Sequence, residues 1–544
     1  MFKNWKKTTG EVIGAGIILT ILFANQLGLD TNSNWGARRF ILLILGVFIL
    51  TASLYYRHDN FIGRAIHTYT GQLYLSVGIL NTAIIIIYIW VASMGLWSTW
   101  LNRTSYYDLL ATAFSHGQTA LEVQPDPVLL KLENLYELNS REGIPYLWDA
   151  SIYKGKYYLY WGPAPALLLA LFKLIYPQSI GDKAITFVYM VGTLIFITLL
   201  ILELWKTYFL ETPRWAILLG IAFAGLANPI LNVLMRGLIY DAAIISGQFF
   251  LISGLYWLFV GFNRPYSTYL FFLAGLFFTL AVGSRTTLVV AIAFLSIIIL
   301  MWAFKTQRDR AFVLITAFGL PLLIGAILYT AYNYARFDSI IEFGLRYQLT
   351  VFNFNESLDK TFSLAYISSN LYKTLLTPFE LHEKFPFIFA VPAAAPAWLG
   401  KDYPDFFLLY KEDITGLLVG SPFIIFSLFA RPNKNTRWIF VSLAGSCFLT
   451  FFTLQVFFFT TMRYLLDLTP ALSLLAVIGF WQSLAFYKNR PIARSILSIV
   501  CISLIIYSIV ISFLLAISGD IKDFSGFSPD LLQKLRQVFP RLDT

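Results

Sequence analysis

The chain has 544 residues, of which 58% are hydrophobic and only 13% are charged, with a net charge of +10. A soluble globular domain is typically about 45–50% apolar and about 25% charged, so a soluble fold is excluded. The basic surplus is better explained by lysine and arginine in cytoplasmic loops of a membrane protein than by nucleic-acid binding.

Apolar segments of about 20 residues recur along the chain, each long enough to cross a hydrocarbon core about 30 Å thick. Lipid cannot hydrogen-bond a peptide backbone, so these segments must be helical. The sequence predicts an all-α polytopic membrane protein with about 13 transmembrane helices, at 12–29, 38–56, 73–98, 183–206, 214–234, 238–260, 266–283, 286–304, 311–333, 414–430, 437–459, 465–486 and 494–517.

The division that follows from these spans has five parts. Residues 1–72 are an N-terminal pair of helices with a cytoplasmic loop, and 73–333 are a transmembrane module that includes a first outer loop at 99–182. A second long loop covers 334–412, C-terminal transmembrane helices cover 413–517, and a tail covers 518–544. The apolar segment Pro163–Tyr176 is too short for a span and is predicted to lie as a helix at the membrane face.

Lysine and arginine are concentrated in alternate short loops, for example at Lys6, Arg57, Lys206, Lys305 and Lys488. Under the positive-inside rule, these loops and the N-terminus are cytoplasmic. Both long loops, the C-terminal tail and nearly all the carboxylates are then extracytoplasmic. Any chemistry is expected on that side.

In the first loop, the stretch from Trp148 to Pro165 combines aromatic side chains with lysines and an aspartate. Aromatic faces stack on sugar rings, lysine binds phosphate, and a carboxylate accepts a proton from a hydroxyl. An interfacial aromatic belt with snorkelling lysines is the alternative. The candidates in this stretch are Asp149, Lys154, Lys156, Tyr158 and Trp161, and the same loop also carries Asp108.

A second set of polar residues lies where predicted spans reach the outer surface. Ionisable groups at membrane depth are costly, so they are expected to pair or to face an aqueous cavity. Three arginines that converge there could bind an anionic headgroup, since guanidinium matches phosphate geometry. Structural arginine–aspartate pairs are the alternative. The set is Arg236, Tyr240, Asp241, Arg285, Arg463 and Asp467, with Arg346 in the second loop.

Several motifs are absent from the sequence. There is no Walker loop, no glycine-rich dinucleotide fingerprint and no Asp-x-Asp pair, and none of the four histidines has metal-ligand spacing. An ATP-driven transporter and a nucleotide-sugar enzyme with a cytosolic domain are therefore disfavoured. The two halves also lack the matching broken helices of many secondary transporters.

The ordered motifs resemble the membrane glycosyltransferases of the GT-C fold, a superfamily that includes PMT-like and ArnT-like enzymes, and within it an uncharacterised bacterial group. The similar segments span about residues 73–490. They are Tyr107-Asp-Leu-Leu-Ala111 with Gly117, Gly155-Lys-Tyr-Tyr-Leu-Tyr-Trp-Gly-Pro-Ala-Pro165, Tyr240-Asp241, Leu273–Thr286 ending in Ser-Arg, Tyr332-Asn-Tyr-Ala-Arg-Phe337 and Arg463-Tyr-Leu-Leu-Asp467.

The resemblance implies an enzyme of a bacterial inner membrane that transfers a sugar from a polyprenyl-phosphate donor to a glycan, lipid or protein acceptor, with inversion. A first-loop aspartate, Asp149 or Asp108, would be the base, and Asp241 could assist. Some relatives use a divalent ion such as Mg²⁺ or Mn²⁺. The resemblance implies that the leaving phosphate is bound among Arg285, Arg346, Arg463, Lys154 and Lys156, and the substrate by Tyr240, Tyr158 and Trp161.

One position departs from the family pattern. Many members carry an Asp-Glu pair four residues before the first-loop tyrosine, where this chain has Arg103 and Thr104. A non-catalytic scaffold subunit with a GT-C-like fold therefore stays an alternative, as does a lipid or glycan flippase. A polysaccharide ligase or polymerase is a variant of the enzyme hypothesis with a different donor.

Overall fold

The protein is described by a computed structural model that covers residues 2–24, 27, 29, 37–56, 68–399 and 411–539. The chain forms two compact units. The first consists of Met1–Leu101 and Asp523–Leu532, and the second of Asn102–Lys522 and Gln533–Thr544. The first unit thus extends beyond the predicted boundary at residue 72 and includes part of the tail.

The described N-terminal residues of the first unit form the helices α1 (Phe2–Leu22), α2 (Ala37–Tyr56) and α3 (Tyr69–Ala92). Helices α1 and α2 pack closely because Gly14 has no side chain: a Cβ there would lie 2.6 Å from the backbone nitrogen of Leu50. The C-terminal segment of this unit returns to the end of α3, where the Ser528 hydroxyl donates a hydrogen bond to the Met94 carbonyl at 2.8 Å.

The second unit contains the remaining long helices and the two loops. Its helices and those of the tail are α4 (Tyr106–Ser115), α5 (Ala164–Lys173), α6 (Asp182–Tyr208), α7 (Arg214–Leu226), α8 (Ile230–Arg236), α9 (Ile239–Asn263), α10 (Thr268–Val282), α11 (Val289–Thr306), α12 (Ala311–Phe337), α13 (Phe354–Ser357), α14 (Ile367–Leu375), α15 (Leu417–Gly420), α16 (Arg437–Gln455), α17 (Thr469–Phe486), α18 (Pro491–Gly519), α19 (Ile521–Phe527) and α20 (Pro529–Val538).

Nine helices in the described part of the chain are long and apolar enough to cross a membrane. They are Tyr69–Ala92, Asp182–Tyr208, Arg214–Arg236, Ile239–Asn263, Thr286–Thr306, Arg308–Phe337, Arg437–Gln455, Thr469–Phe486 and Pro491–Gly519. These helices make the protein a multi-pass membrane protein, and each of the nine overlaps a predicted span. The predicted span 12–29 shares only residues 12–22 with α1, and its residues 25, 26 and 28 lie outside the described residues. The predicted span 38–56 lies within α2.

Two predicted spans differ from regular membrane helices. The prediction at 266–283 corresponds to α10, whose 15 residues extend only about 22 Å at 1.5 Å per residue. The prediction at 414–430 is wrong as a single helix: the four-residue α15 is followed by a 3₁₀ turn over Pro422–Phe429. Pro422 lacks the N–H that a continuous helix needs. Gly416 packs closely against Leu375, because a Cβ at this position would lie 2.4 Å from the Leu375 carbonyl carbon.

Helix α9 is the buried centre of the second unit and packs between α6 and α10. Its close approach to its neighbours depends on glycine: a Cβ at Gly254 would lie 2.4 Å from the Phe278 ring, and one at Gly247 would lie 2.7 Å from the Cβ of Arg285. Small residues allow such contacts between membrane helices. This packing places the N-terminal end of α9 beside the turn between α10 and α11.

The loops are not purely helical, which corrects the all-α prediction. The first loop contains a hairpin of β1 (Ser151–Tyr153) and β2 (Lys156–Tyr158), closed by Lys154 and Gly155, both at positive φ. Such a two-residue turn matches the twist of paired strands. The second loop contributes a three-stranded antiparallel sheet, ordered β3 (Phe379–Leu381), β4 (Ile388–Pro392) and β5 (Asp413–Ile414).

Pro163–Tyr176 contains the ten-residue α5, which is too short to cross a bilayer. Its Gly162-Pro-Ala-Pro start lies against the turn between α10 and α11. The Ala164 N–H donates to the Gly283 carbonyl at 2.9 Å, and a Cβ at Gly162 would lie 2.1 Å from that carbonyl oxygen. The glycine therefore permits the first loop to lie directly on the helix turn that precedes Arg285.

Candidate functional site

A cavity of about 110 Å³ lies at the end of the second unit where both loops meet the helices. Its polar lining includes Asp149, Tyr240, Glu412 and Arg463. The rest of its wall is largely aromatic, from Trp148, Tyr160, Phe352, Phe354, Phe457, Phe458, Phe459 and Tyr464. A cavity that combines acidic and basic side chains with aromatic walls is suited to binding a polar ring next to an anionic group.

Asp149 is held in the cavity wall by pairing between the two loops. Its N–H donates to the Leu349 carbonyl at 2.9 Å, and the Leu349 N–H donates back to the Ala150 carbonyl at 2.9 Å. The Gln348 amide donates to the Asp149 carbonyl at 3.2 Å. Asp149 has φ +61°, a left-handed conformation that aspartate tolerates better than most residues. The second loop therefore fixes the position of a first-loop carboxylate.

Arg141 also stabilises the pairing between the two loops. It is 2% exposed, and its Nη2 donates to the Thr350 carbonyl at 2.5 Å. Its guanidinium also lies over the Tyr146 ring, 4.6 Å from the centroid. Ser151 adds a hydrogen bond of 2.7 Å from its hydroxyl to the Gly344 carbonyl. These contacts connect residues about 200 positions apart, which sequence reasoning did not find.

The Asp149 carboxylate is 5% exposed and has two different oxygen environments. Oδ2 accepts a hydrogen bond from the Tyr240 hydroxyl, at the start of α9. Oδ1 is buried and makes no hydrogen bond. Burial raises the pKa of Asp149 above its ordinary value, against opposing effects of the Thr350 and Tyr240 hydroxyls and the Arg463 charge. Such a carboxylate can accept a proton at Oδ1.

Arg463 lies on the other side of Tyr240, with its guanidinium 4.6 Å from the centre of the tyrosine ring. It is 5% exposed and donates a hydrogen bond from Nη1 to Glu412 Oε2. Arg236 Nη1 lies 3.5 Å from the same oxygen. Burial by itself would raise the pKa of Glu412, but the charges of Arg463 and Arg236 lower it to about 2. Glu412 is therefore ionised.

Asp241 and Arg285 lie beside the cavity but do not line it. Asp241 is fully buried, and its Oδ2 accepts a hydrogen bond of 2.9 Å from the Leu238 N–H and lies 3.9 Å from Arg236 Nε. Arg285 donates to Asp467 Oδ2 at 2.8 Å and lies over the ring of Tyr464. Trp161 packs edge-on against Tyr240, with ring centroids 5.3 Å apart.

The other residues predicted from the sequence lie away from this cavity. Asp108 is buried in an ion pair with Lys173 at 2.6 Å, which connects α4 to α5. Lys154 is exposed and pairs with Asp338 at 2.6 Å, Lys156 is exposed, and the exposed Arg346 lies 3.8 Å from Glu342. Tyr158 packs on Phe337 in a separate cluster.

Arg103 and Thr104, which replace the family's acidic pair, have structural contacts. Arg103 Nη2 donates to Asp520 at 2.7 Å, at the end of α18. The Thr104 hydroxyl accepts the Ile239 N–H at 3.1 Å. The same region is organised by Asp182, whose carboxylate accepts the N–H groups of Tyr106 and Tyr107 at the start of α4. These positions therefore connect the first loop to the helices.

Among the described residues, no group of three or more histidine, cysteine, aspartate or glutamate side chains is placed to hold a metal ion. Glu412 Oε2 is already bonded to arginines and to the Thr461 hydroxyl. The acidic residues at this cavity thus do not fit the divalent ion that the resemblance allowed.

Glu412 was not among the residues selected from the sequence, although its position at the end of a predicted span could have identified it. It precedes the apolar segment predicted to start at residue 414, so it lies where a span was expected to meet the outer surface. The rule that selected Asp241 and Arg463, an ionisable residue at the outer end of a span, applies equally to it.

No family model matches the chain, and no curated protein matches it. Two solved structures are similar to part of the chain. One is the crystal structure of the Archaeoglobus fulgidus oligosaccharyltransferase in the apo form, with a TM-score of 0.46, 13% identity, and coverage of 82% of this chain and 55% of that one. The other is the archaeal oligosaccharyltransferase AglB from Archaeoglobus fulgidus in complex with an inhibitory peptide and a dolichol-phosphate.

For this second structure the TM-score is 0.43 with 13% identity, and the match covers 83% of this chain and 56% of that one. The chain therefore spans about half the length of either protein. The fold and the cavity together define a multi-pass helical membrane protein with a polar site at one end of its helix bundle.

Proposed function

We propose that this protein is a membrane glycosyltransferase that moves a sugar from a polyprenyl-phosphate donor to a hydroxyl of a glycan, lipid or protein acceptor. The observation that carries the proposal is the pair of groups on either side of Tyr240. One is a buried carboxylate, Asp149, with a free oxygen, and the other is a buried arginine, Arg463. Sugar transfer requires a proton acceptor and a cation for the leaving phosphate.

In the proposed reaction, Asp149 Oδ1 takes the proton of the acceptor hydroxyl while the acceptor oxygen attacks the anomeric carbon. The bond between that carbon and the phosphate oxygen breaks, and the electron pair leaves with the polyprenyl phosphate. Attack opposite the leaving group inverts the anomeric configuration. Arg463 stabilises the charge that develops on the phosphate, because guanidinium matches phosphate oxygens in geometry.

The aromatic wall supports a sugar substrate. Trp148, Phe352 and Phe458 line the cavity, and aromatic faces pack well on the apolar faces of sugar rings. Binding both substrates in one cavity would itself accelerate the reaction, since well-oriented groups react at effective molarities equivalent to about 7–11 kcal/mol at most.

The distribution of charge favours an enzyme over a flippase. In the nine membrane-spanning helices, the charged residues lie near helix ends, as with Asp241, Arg236 and Arg336. A transport path for a polar headgroup requires polar or charged residues along the middle of several helices. The cavity instead lies at one end of the bundle.

The test is sugar transfer by membranes that contain the Asp149→Asn variant, with a panel of radiolabelled polyprenyl-phosphate sugars. Loss of a general base typically lowers turnover by about 10²–10⁴-fold, so we expect a decrease of that size with little change in donor binding. Asp338→Asn is the control, because it removes an exposed loop carboxylate that pairs with Lys154 outside the cavity. Full transfer by Asp149→Asn, or no transfer from any donor, would contradict the proposal.

A further inference from the structure

One oxygen of Glu412 is the meeting point of three donors from different parts of the second unit. Oε2 accepts a hydrogen bond from Arg463 Nη1 and one of 2.7 Å from the Thr461 hydroxyl, and it lies 3.5 Å from Arg236 Nη1. Arg236 ends α8, while Thr461 and Arg463 precede α17. Glu412 comes from the second loop, whereas the three donors lie at the end of α8 and in the segment that precedes α17.

This arrangement has the chemistry of a phosphate site. Two guanidinium groups and a hydroxyl around one anionic oxygen are donors that also suit a phosphate oxygen. Arg463 has further capacity, since its buried Nε makes no hydrogen bond. A single carboxylate therefore leaves part of the arginine unsatisfied, whereas a phosphate offers more acceptor oxygens.

The position is also appropriate for a ligand of the cavity. Glu412 and Arg463 line it together with Asp149 and Tyr240, and the Glu412 side chain is 18% exposed. A sugar that reaches Asp149 would therefore carry its phosphate towards the two arginines. A sugar phosphodiester has one negative charge, as the carboxylate does, so one can replace the other without a change of net charge.

We infer that Arg236, Thr461 and Arg463 form the subsite for the phosphate of the lipid-linked donor, and that Glu412 occupies this subsite when no donor is bound. The inference rests on the proposed function for the identity of the ligand. Donor binding then requires the Glu412 carboxylate to leave the arginines. The donor's apparent affinity is reduced by the fraction of molecules in which the subsite is filled by Glu412.

Glu412 would also affect product release. Transfer of the sugar converts the phosphodiester to a phosphomonoester, which can carry a second negative charge. Two arginines stabilise that added charge in the transition state. The return of the Glu412 carboxylate to the arginines then competes with the bound polyprenyl phosphate and assists its departure.

The experiment measures equilibrium binding of farnesyl phosphate, a short polyprenyl phosphate, to the purified full-length protein in detergent. The Glu412→Gln variant removes the competing charge but keeps the side-chain shape. We expect binding about tenfold tighter than in the wild type, because like charges close together in a protein interior repel strongly. Glu412→Asp, which keeps the charge but shortens the side chain, should also bind more tightly.

Glu380→Gln is the matched control. Glu380 lies in the same loop on β3, is largely exposed, and has His382 as its ion-pair neighbour. We expect its affinity for farnesyl phosphate to equal that of the wild type. A parallel titration with inorganic phosphate distinguishes the sources: a gain for farnesyl phosphate alone supports a lipid-phosphate subsite, and a gain with both ligands supports the anion subsite itself.

Unchanged or weaker binding by both Glu412 variants would overturn the inference. Loss of folding in both variants would also overturn it, since Glu412 would then be a structural partner of the arginines. Binding needs no catalysis, so this test is independent of the transferase proposal. Tighter binding without sugar transfer from any donor would retain the subsite and reject the transferase.

Discussion

The Tyr240 hydroxyl donates a hydrogen bond to the carboxylate of Asp149, and this contact joins the start of a membrane helix to the first long loop. Tyr240 also lies between Asp149 and Arg463, whose guanidinium is over the tyrosine ring. The residue thus touches both the proposed proton acceptor and the proposed phosphate ligand. Three of the residues selected from the sequence are therefore neighbours in one cavity.

The first prediction concerns this hydrogen bond. Tyr240→Phe removes a donor that stabilises the ionised form of Asp149, so the pKa of Asp149, already raised by burial, rises further. The acidic limb of the pH profile of kcat/KM should therefore move to higher pH. Tyr208→Phe, which removes a hydroxyl bonded to Asn263 at the opposite end of the bundle, is the control. A profile that does not move would show that Asp149 is not the titrating base.

The second prediction concerns the stability cost of the same carboxylate. Because burial raises the pKa of Asp149 in the folded protein above its unfolded value, the native state binds this proton more tightly. The contribution of Asp149 to stability is therefore present at low pH and is lost as the pH rises through the folded pKa. Asp149→Asn should raise the Tm at alkaline pH and change it little at acidic pH. The opposite trend would mean that Arg463 and the hydroxyls stabilise the charged form.

The third prediction concerns the pair of Arg285 and Asp467. Asp467 has 1% of its side chain exposed, and burial raises its pKa while Arg285 opposes the shift. Removing one partner of a buried ion pair typically costs about 3–5 kcal/mol, so Arg285→Ala should lower the free energy of unfolding by that amount. The loss should decrease at acidic pH, where Asp467 becomes neutral.

A matched comparison uses an exposed pair at the other end of the bundle. Lys488 lies 2.8 Å from Glu211, and both side chains are mostly exposed. Lys488→Ala should therefore leave the Tm almost unchanged. The double variant Arg285→Ala with Asp467→Asn should recover part of the stability that the single variant loses. Equal losses in the single and double variants would indicate that packing, and not the unpaired charge, is responsible.

The fourth prediction concerns the contact between the first loop and the helices. A Cβ at Gly162 would lie 2.1 Å from the Gly283 carbonyl oxygen, two residues before Arg285. Gly162→Ala must shift the loop, and overpacking of this kind costs about 1–3 kcal/mol. We expect a lower Tm and lower sugar transfer. Gly319→Ala, in open space on α12, should keep both, and equal effects of the two variants would contradict the argument.

The apolar segments of the sequence predicted most of the helices, because a span is a local property. Each of the nine described spans overlaps a predicted one, since about 20 apolar residues in lipid have no structure available except a helix. The segment at 414–430 has the same composition but is broken by Gly416, Gly420 and Pro422. In this segment, close contacts with neighbouring parts of the chain prevent a continuous helix. The apolar composition of the segment does not reveal those contacts.

The candidate site was predictable only in part. Asp149, Tyr240 and Arg463 were selected from the sequence because each is a polar residue in an aromatic or apolar setting, and all three line the cavity. Lys154, Lys156 and Arg346 satisfied similar rules, yet they are exposed on the loop surface. Their positions depend on which face of a hairpin or turn is directed inward, and a single sequence does not determine that.

The sequence alone determined that the chain is a helical membrane protein, and it located the nine long apolar helices of the described residues. Those features follow from local hydrophobicity and from the cost of an unsatisfied backbone in lipid. Only the tertiary structure decided which carboxylate faces the cavity, that Arg236 and Arg463 share Glu412, and that Asp108 is bound to Lys173. These pairings join residues up to 176 positions apart in the chain, and they depend on how the two loops fold over the helix ends.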